Sequence, residues 1–288
     1  TQKNGERWSA ARAFIHPHMG TRPNLKVELQ AQVRRILFEG KRAIGVEIDQ
    51  GGVTRILRAN REIIISAGAF HTPQLLLLSG VGDGADLQKL GIPVVHHLPG
   101  VGKNLQDHPD FVFGYKTRSL ELGGFSLPGT ARMIKEIQRF RNTRRGQITS
   151  NYAEAGAFLK TRPDLAAPDI QLHFVTALVE DHARKIRLGH GYSCHVCVLR
   201  PKSRGEVSLY NVDPASPPRV NPNFLGDEDD VQVLLEGFKI TRKLMDAPAL
   251  APIRSEELFT ARIKTDQDII NILRERVDTV YHPVGSCK

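Results

Sequence analysis

The chain has 288 residues and a formal charge of +9, from 40 Lys and Arg against 31 Asp and Glu. Apolar residues make up 40% and charged residues 25%, ordinary globular usage that excludes disordered, collagen-like and coiled-coil chains. At roughly 100–200 residues per domain this length suits two domains or one large one, and no apolar run nears the roughly 20 residues that span a bilayer.

Thr1-Gln2-Lys3-Asn4-Gly5 opens the chain with no initiator Met and no apolar signal core. Residues 25–66 then read as β. Leu25–Leu29, Val33–Phe38 and Ala43–Asp49 alternate or run apolar, with a hairpin at Glu39-Gly40-Lys41. Gln50-Gly51-Gly52 turns the chain into Thr54–Leu57, and Ile63-Ile64-Ile65 within Arg61–Ser66 suits a strand buried on both faces. Thr72 as N-cap and Pro73 at the first helical position start a short helix that stops at Ser79-Gly80. A second short helix covers about Ala85–Leu90, and Leu98–Pro109 is an ordered loop and the best internal boundary. Residues 130–145 form a basic amphipathic helix, with Met133, Ile134, Ile137 and Phe140 on one face. It packs on its own domain as a surface helix or touches a membrane surface. Strands follow at about Ala153–Leu159, Asp169–Val175, Tyr192–Leu199 and Gly205–Leu209. Asp227–Asp246 is a helix with acids in its first turn and bases in its last, as the helix dipole favours. Thr265 caps a final helix to about Arg276. The order implies a mixed α/β fold with much antiparallel sheet.

Few residues advertise chemistry. Three cysteines are too few for a disulfide scaffold and fit a reducing, cytoplasmic setting. Cys194-His195-Val196-Cys197 has no second pair to complete a zinc site, and residues three apart on a strand face opposite ways, so no metal is expected. His96-His97 and His16-Pro17-His18 read as loop histidines. No nucleophile elbow, Walker loop or G-x-G-x-x-G occurs. The basic residues do not interleave with aromatics, only 6% of the chain, so nucleic acid is not expected as a partner. His282 stands apart, in a short loop with Pro283 and Gly285. A loop stiffened by Pro can hold an imidazole over a reacting hydroxyl, and such a base is worth about 10²–10⁴ in rate.

These segments together resemble a known family. Gly68-Ala69-Phe70-His71-Thr72-Pro73-Gln74-Leu75-Leu76-Leu77-Leu78-Ser79-Gly80-Val81-Gly82 is similar to the second signature of the glucose–methanol–choline oxidoreductases. Arg22-Pro23-Asn24-Leu25, Phe38-Glu39-Gly40-Lys41-Arg42-Ala43-Ile44-Gly45-Val46 and Leu98-Pro99-Gly100-Val101-Gly102-Lys103-Asn104-Leu105-Gln106-Asp107-His108-Pro109 agree with it in order. So do Ser203-Arg204-Gly205, Asn221-Pro222-Asn223-Phe224 and Tyr281-His282-Pro283-Val284-Gly285-Ser286-Cys287. The texture is nearest the bacterial choline and alcohol dehydrogenases of the family.

The resemblance implies an FAD enzyme that oxidises an alcohol, with a partial FAD-binding domain interleaved with a substrate domain built on an antiparallel sheet flanked by helices. Residues 1–105 would belong to the FAD domain, 106–275 to the substrate domain, and 276–288 would return to the flavin. By position His282 matches the catalytic histidine, and Val33 the residue whose backbone contacts the adenine end of FAD; a buried strand valine is the plainer reading. Glu154 aligns with an active-site glutamate of choline-oxidising members, and His173 is a further pocket candidate; a salt-bridged Glu and a satisfied strand His are the alternatives. Tyr152 stands where choline-type members have His, which leaves an aliphatic or other alcohol open beside choline. Oxygen and a quinone are both open as electron acceptor. The dinucleotide loop and a second catalytic His or Asn are not among these residues, so the chain is expected to be an internal piece, inactive by itself. The rival reading is a non-catalytic remnant that binds a ligand or partner through the same fold.

Overall fold

The computed structural model describes residues 2–179, 185 and 187–288. In chain order, β1 (Gln2–Lys3) and β2 (Glu6–Arg7) pair with each other. β3 (Gln32–Glu39), β4 (Arg42–Gln50) and β5 (Val53–Arg58) make an antiparallel sheet. Helix α1 (Gly68–Leu78), β6 (Val81–Gly82), α2 (Gly84–Lys89) and β7 (His96–His97) follow, with β6 and β7 parallel. Next come β8 (Pro109–Thr117), β9 (Gly124–Phe125), α3 (Leu127–Thr143), β10 (Ala153–Leu159), β11 (Ile170–Val175) and β12 (Gly189–Val198). The chain continues through β13 (Glu206–Ser208), β14 (Arg219–Asn221) and α4 (Glu228–Met245). It then adds β15 (Glu256–Leu258), α5 (Asp266–Arg276) and β16 (Asp278–Thr279).

Two compact units form. One takes the chain up to Lys26, Asp110–Arg200 and Val231–Asp278; the other takes Val27–Pro109, Pro201–Asp230 and Thr279–Lys288. Divisions at 105 and 275 thus miss two excursions, the first 26 residues and the stretch 201–230.

The first unit is built on an antiparallel sheet in the order β10-β11-β12-β8-β15, with β9 on β12 and β16 on β8. Helix α4 buries Val231, Leu234, Leu235, Phe238 and Met245, an i, i+3, i+4, i+7 row. Phe238 meets Phe111 and Phe113 of β8 at centroid distances of 5.2 and 4.6 Å. A Cβ on Gly237 would lie 3.0 Å from Val196 and 3.3 Å from Ile170, so glycine lets the helix approach the strands. Each such side chain taken from water contributes roughly 1.5–3 kcal/mol.

In the second unit the β3–β4 and β4–β5 turns hold two residues each, Gly40-Lys41 and Gly51-Gly52. Both Gly51 and Gly52 have positive φ, as a twisted two-residue hairpin demands. Leu77, Val81, Leu87, Ile92 and Val101 form the small core. The Ile36 N–H donates to Ser79 Oγ at 2.8 Å and ties β3 to the end of α1.

Three expectations are corrected. Leu25–Leu29 joins no ladder and leaves Leu29 exposed. Ile63–Ile65 is extended but joins no ladder among the described residues, and Ile64 is 80% exposed. Apolar character alone specifies no pairing partner. Helix α1 begins at Gly68, so Pro73 sits inside it, and Thr72 Oγ1 accepts from the Ala67 N–H at 3.2 Å rather than capping at its own position.

Candidate functional site

The segment Thr279–Lys288 carries His282, and Thr279, His282, Val284, Gly285, Ser286 and Cys287 are tied to residues 101–107. Gln106 and Val284 exchange backbone hydrogen bonds of 2.9 and 2.8 Å. The Gly102 N–H donates to Ser286 O at 2.8 Å, Asn104 Nδ2 donates to Gly285 O at 3.1 Å, and Val101 bridges Cys287. At the far end lies Asp107, a buried carboxylate. Its Oδ1 accepts the His282 N–H at 3.1 Å and the His108 N–H at 2.8 Å, and its Oδ2 accepts the Thr279 hydroxyl. The same Thr279 oxygen accepts the Tyr281 N–H at 2.7 Å.

This network explains an otherwise costly backbone. Tyr281 has φ +68°, a left-handed conformation that costs a non-glycine residue on the order of 1–3 kcal/mol. Gly285 has φ +86°, and a Cβ there would stand 2.6 Å from Asn104 O. Between these two bends Pro283 fixes its own φ. His282 is therefore held through its backbone, while its ring is exposed and stands edge-on to His108 at 5.7 Å.

Two cavities lie in the same unit. Val33, Val46, Ile65, Ser66, His71 and Gln74 are among the residues around one of about 620 Å³. Gln74 is buried and its Nε2 donates to Ser216 O at 2.7 Å, which joins α1 to the loop that closes that cavity. The other, about 480 Å³, lies between Gly68, Ala69 and Thr72 of α1 and the His282 loop from Pro283 onward.

The first unit carries the remaining candidates. His173 on β11 sits opposite His195 on β12, with ring centroids 6.4 Å apart, and opposite Gly156 on β10. Glu154 falls where the β10–β11 register shifts, and it is exposed. The partner of the His195 ring is Asp110, fully buried, with Nδ1 to Oδ2 at 2.6 Å. A carboxylate at Nδ1 accepts a hydrogen bond from that nitrogen and fixes the orientation of the ring. Neither Asp110 nor His195 carries a local signal in the sequence, since their pairing needs β8 laid beside β12. Cys194 and Cys197 take partners of opposite parity, Phe113 and Phe174 against Asp110 and Gln171. Burial, with Asp110 adding to it, pushes the Cys194 thiol up to about 12, so at neutral pH it is a poor nucleophile.

Two family models described as GMC oxidoreductase match the chain, one over residues 1–110 and the other over residues 201–288. The chain belongs to the GMC oxidoreductase family. It is 40% identical to an alcohol dehydrogenase [acceptor] of Pseudomonas putida, over 100% of this chain and 52% of that protein. It is also 40% identical to the mitochondrial choline dehydrogenase of Mus musculus, over 100% of this chain and 48% of that protein. The chain thus spans about half the length of these GMC relatives. A solved structure of formate oxidase from Aspergillus oryzae RIB40, studied for FAD modification, superposes with a TM-score of 0.86 at 24% identity. That match covers 99% of this chain and 54% of the other, and at this identity it concerns the fold.

Proposed function

We propose that this chain is part of an FAD-dependent enzyme that oxidises an alcohol to an aldehyde or ketone, with His282 as the base. The observation that carries the reading is the Asp107 clamp, which sets the His282 backbone while leaving its imidazole open. A GMC oxidoreductase with alcohol and choline dehydrogenase relatives calls for this chemistry.

The residues suit an adenosine group. The cavity beside Val33 has the volume of an ordinary ligand site, roughly 300–1,000 Å³, at about 620 Å³. Val33 would meet the adenine end through its backbone, on a strand that puts half-buried apolar surface around a flat ring. The pyrophosphate loop is not among these 288 residues, so tight FAD binding is proposed for the protein with that element and not for these residues alone. When bound, FAD supplies the hydride acceptor. The protein's own task is the proton. A ring nitrogen of His282 takes the hydroxyl proton, alkoxide character builds on the substrate oxygen, and the carbinol C–H pair leaves as hydride. Pro283 and the Asp107 clamp keep the imidazole from swinging with its loop. In the first unit Glu154 and His173 are the proposed substrate residues, the carboxylate suiting a cationic group.

The test is His282→Ala in the complete flavoprotein. Turnover is expected to fall at least about 100-fold, and a loss under about threefold would reject the assignment.

We further propose a surface role for α3. No residue of the helix is buried, and Leu127 and Ile134 are exposed beside Lys135, Arg139 and Arg141. An apolar face edged with positive charge suits peripheral contact with an anionic membrane surface of the cytoplasm. No helix among the described residues is long and apolar enough to cross a membrane. Arg139→Glu/Arg144→Glu should lower association with anionic liposomes; unchanged partitioning would remove the reading.

A further inference from the structure

We infer that Ser286 is a positioning residue for the His282 loop, latched to a carbonyl that Pro73 leaves without its helical donor. In an α-helix the carbonyl of Ala69 accepts from the N–H four residues on. That residue is Pro73, inside α1, and it has no N–H. The Ala69 carbonyl accepts instead from the Ser286 hydroxyl, at 2.5 Å. Ser286 is buried, with 3% of its surface exposed, so water does not compete readily for the bond.

The residue therefore works in two directions. Its backbone carbonyl takes the Gly102 N–H, as part of the ladder along residues 101–107. Its side chain reaches the other way, to the first turn of α1. Ala69 and Ser286 are also both among the residues that line the 480 Å³ cavity beside the loop. The latch thus sets the spacing between α1 and the chain that carries His282. A proline in the middle of a helix and a buried serine four residues after the base are then two halves of one device. This inference rests on the reading of His282 as the base, since positioning matters to turnover only through that ring.

The experiment uses the complete flavoprotein and two readouts, steady-state kinetics and amide hydrogen exchange of residues 282–287. Ser286→Ala should lower kcat about 10- to 100-fold, as a sub-ångström to 1 Å misplacement does, with KM within about twofold. Exchange of the loop amides should quicken about 10-fold or more, and Ser286→Thr, which keeps the hydroxyl, should restore both. Pro73→Ala gives Ala69 a backbone donor, so Ser286→Ala should cost at least about threefold less in that background. Loop exchange and kcat both within about twofold of wild type in Ser286→Ala would overturn the latch, as would a cost unchanged by Pro73→Ala. Should Ser286→Ala fail to fold, Pro73→Ala alone decides: the new N–H competes with Ser286, so loop exchange should quicken, and no change overturns the inference. His282→Ala separates the two readings. An inactive His282→Ala with a silent Ser286→Ala sinks the latch alone; an active His282→Ala sinks the base, and the exchange data still judge the latch.

Discussion

Helices α3 and α4 have nearly equal lengths, 17 and 18 residues, and each shows an apolar stripe. Their fates differ. Helix α4 buries its stripe under the sheet, with Phe238 wedged among Phe111 and Phe113. Helix α3 turns polar groups inward instead: Arg132 Nη1 donates to Leu120 O at 3.0 Å, and the Glu136 carboxylate takes the Gln147 N–H at 2.8 Å. Its Ile134 is left outside. An amphipathic pattern announces that a face needs covering, without naming what covers it. For α4 the cover is the sheet whose strands carry His173 and His195.

Two substitutions bracket this contrast, to be read by denaturant unfolding of the complete protein. The larger effect belongs to Phe238→Ala, which should cost about 3–5 kcal/mol through lost burial and a residual cavity. A cost below about 1 kcal/mol would mean that α4 is not packed as described. The smaller belongs to Ile134→Ala, expected to change stability by no more than about 0.5 kcal/mol. If Ile134→Ala instead costs as much as Phe238→Ala, the outer face of α3 is covered in the complete protein, and the difference between the helices disappears.

What could be read from the residues divides along a physical line. Local signals read well. Gly40 and Gly51-Gly52 mark the two tight turns, and Thr265 with Asp268 forms the capping box that starts α5. The acid-to-base polarity of α4 is visible in its letters. Partnership at a distance does not read. Leu25–Leu29 and Ile63–Ile65 have strand composition and no ladder. Pro73 reads as a helix start because proline favours that place; it lies inside α1, where the Ala69 carbonyl takes a serine hydroxyl from far along the chain. His282 stood out by its loop, whereas Asp107, which holds it, is one acid in a Gly- and Asn-rich stretch. The pairing of His195 with Asp110 needs two strands laid side by side, which no spacing along the chain reveals.

The clamp on His282 has a consequence for how the protein is made. Asp107 and His282 are 175 positions apart, and Ala69 and Ser286 are 217 apart. The loop has few bonds of its own and takes its shape from earlier chain, so synthesis delivers it unshaped, as almost the last residues of this stretch. Closing so long a span costs little more than closing a short one, since the entropy grows only with the logarithm of length. It does impose an order: the platform at 101–107 must stand before the histidine can dock. The shaping of the His282 loop is thus a late event in folding, and a molecule can regain its sheets and helices while that loop is still adrift.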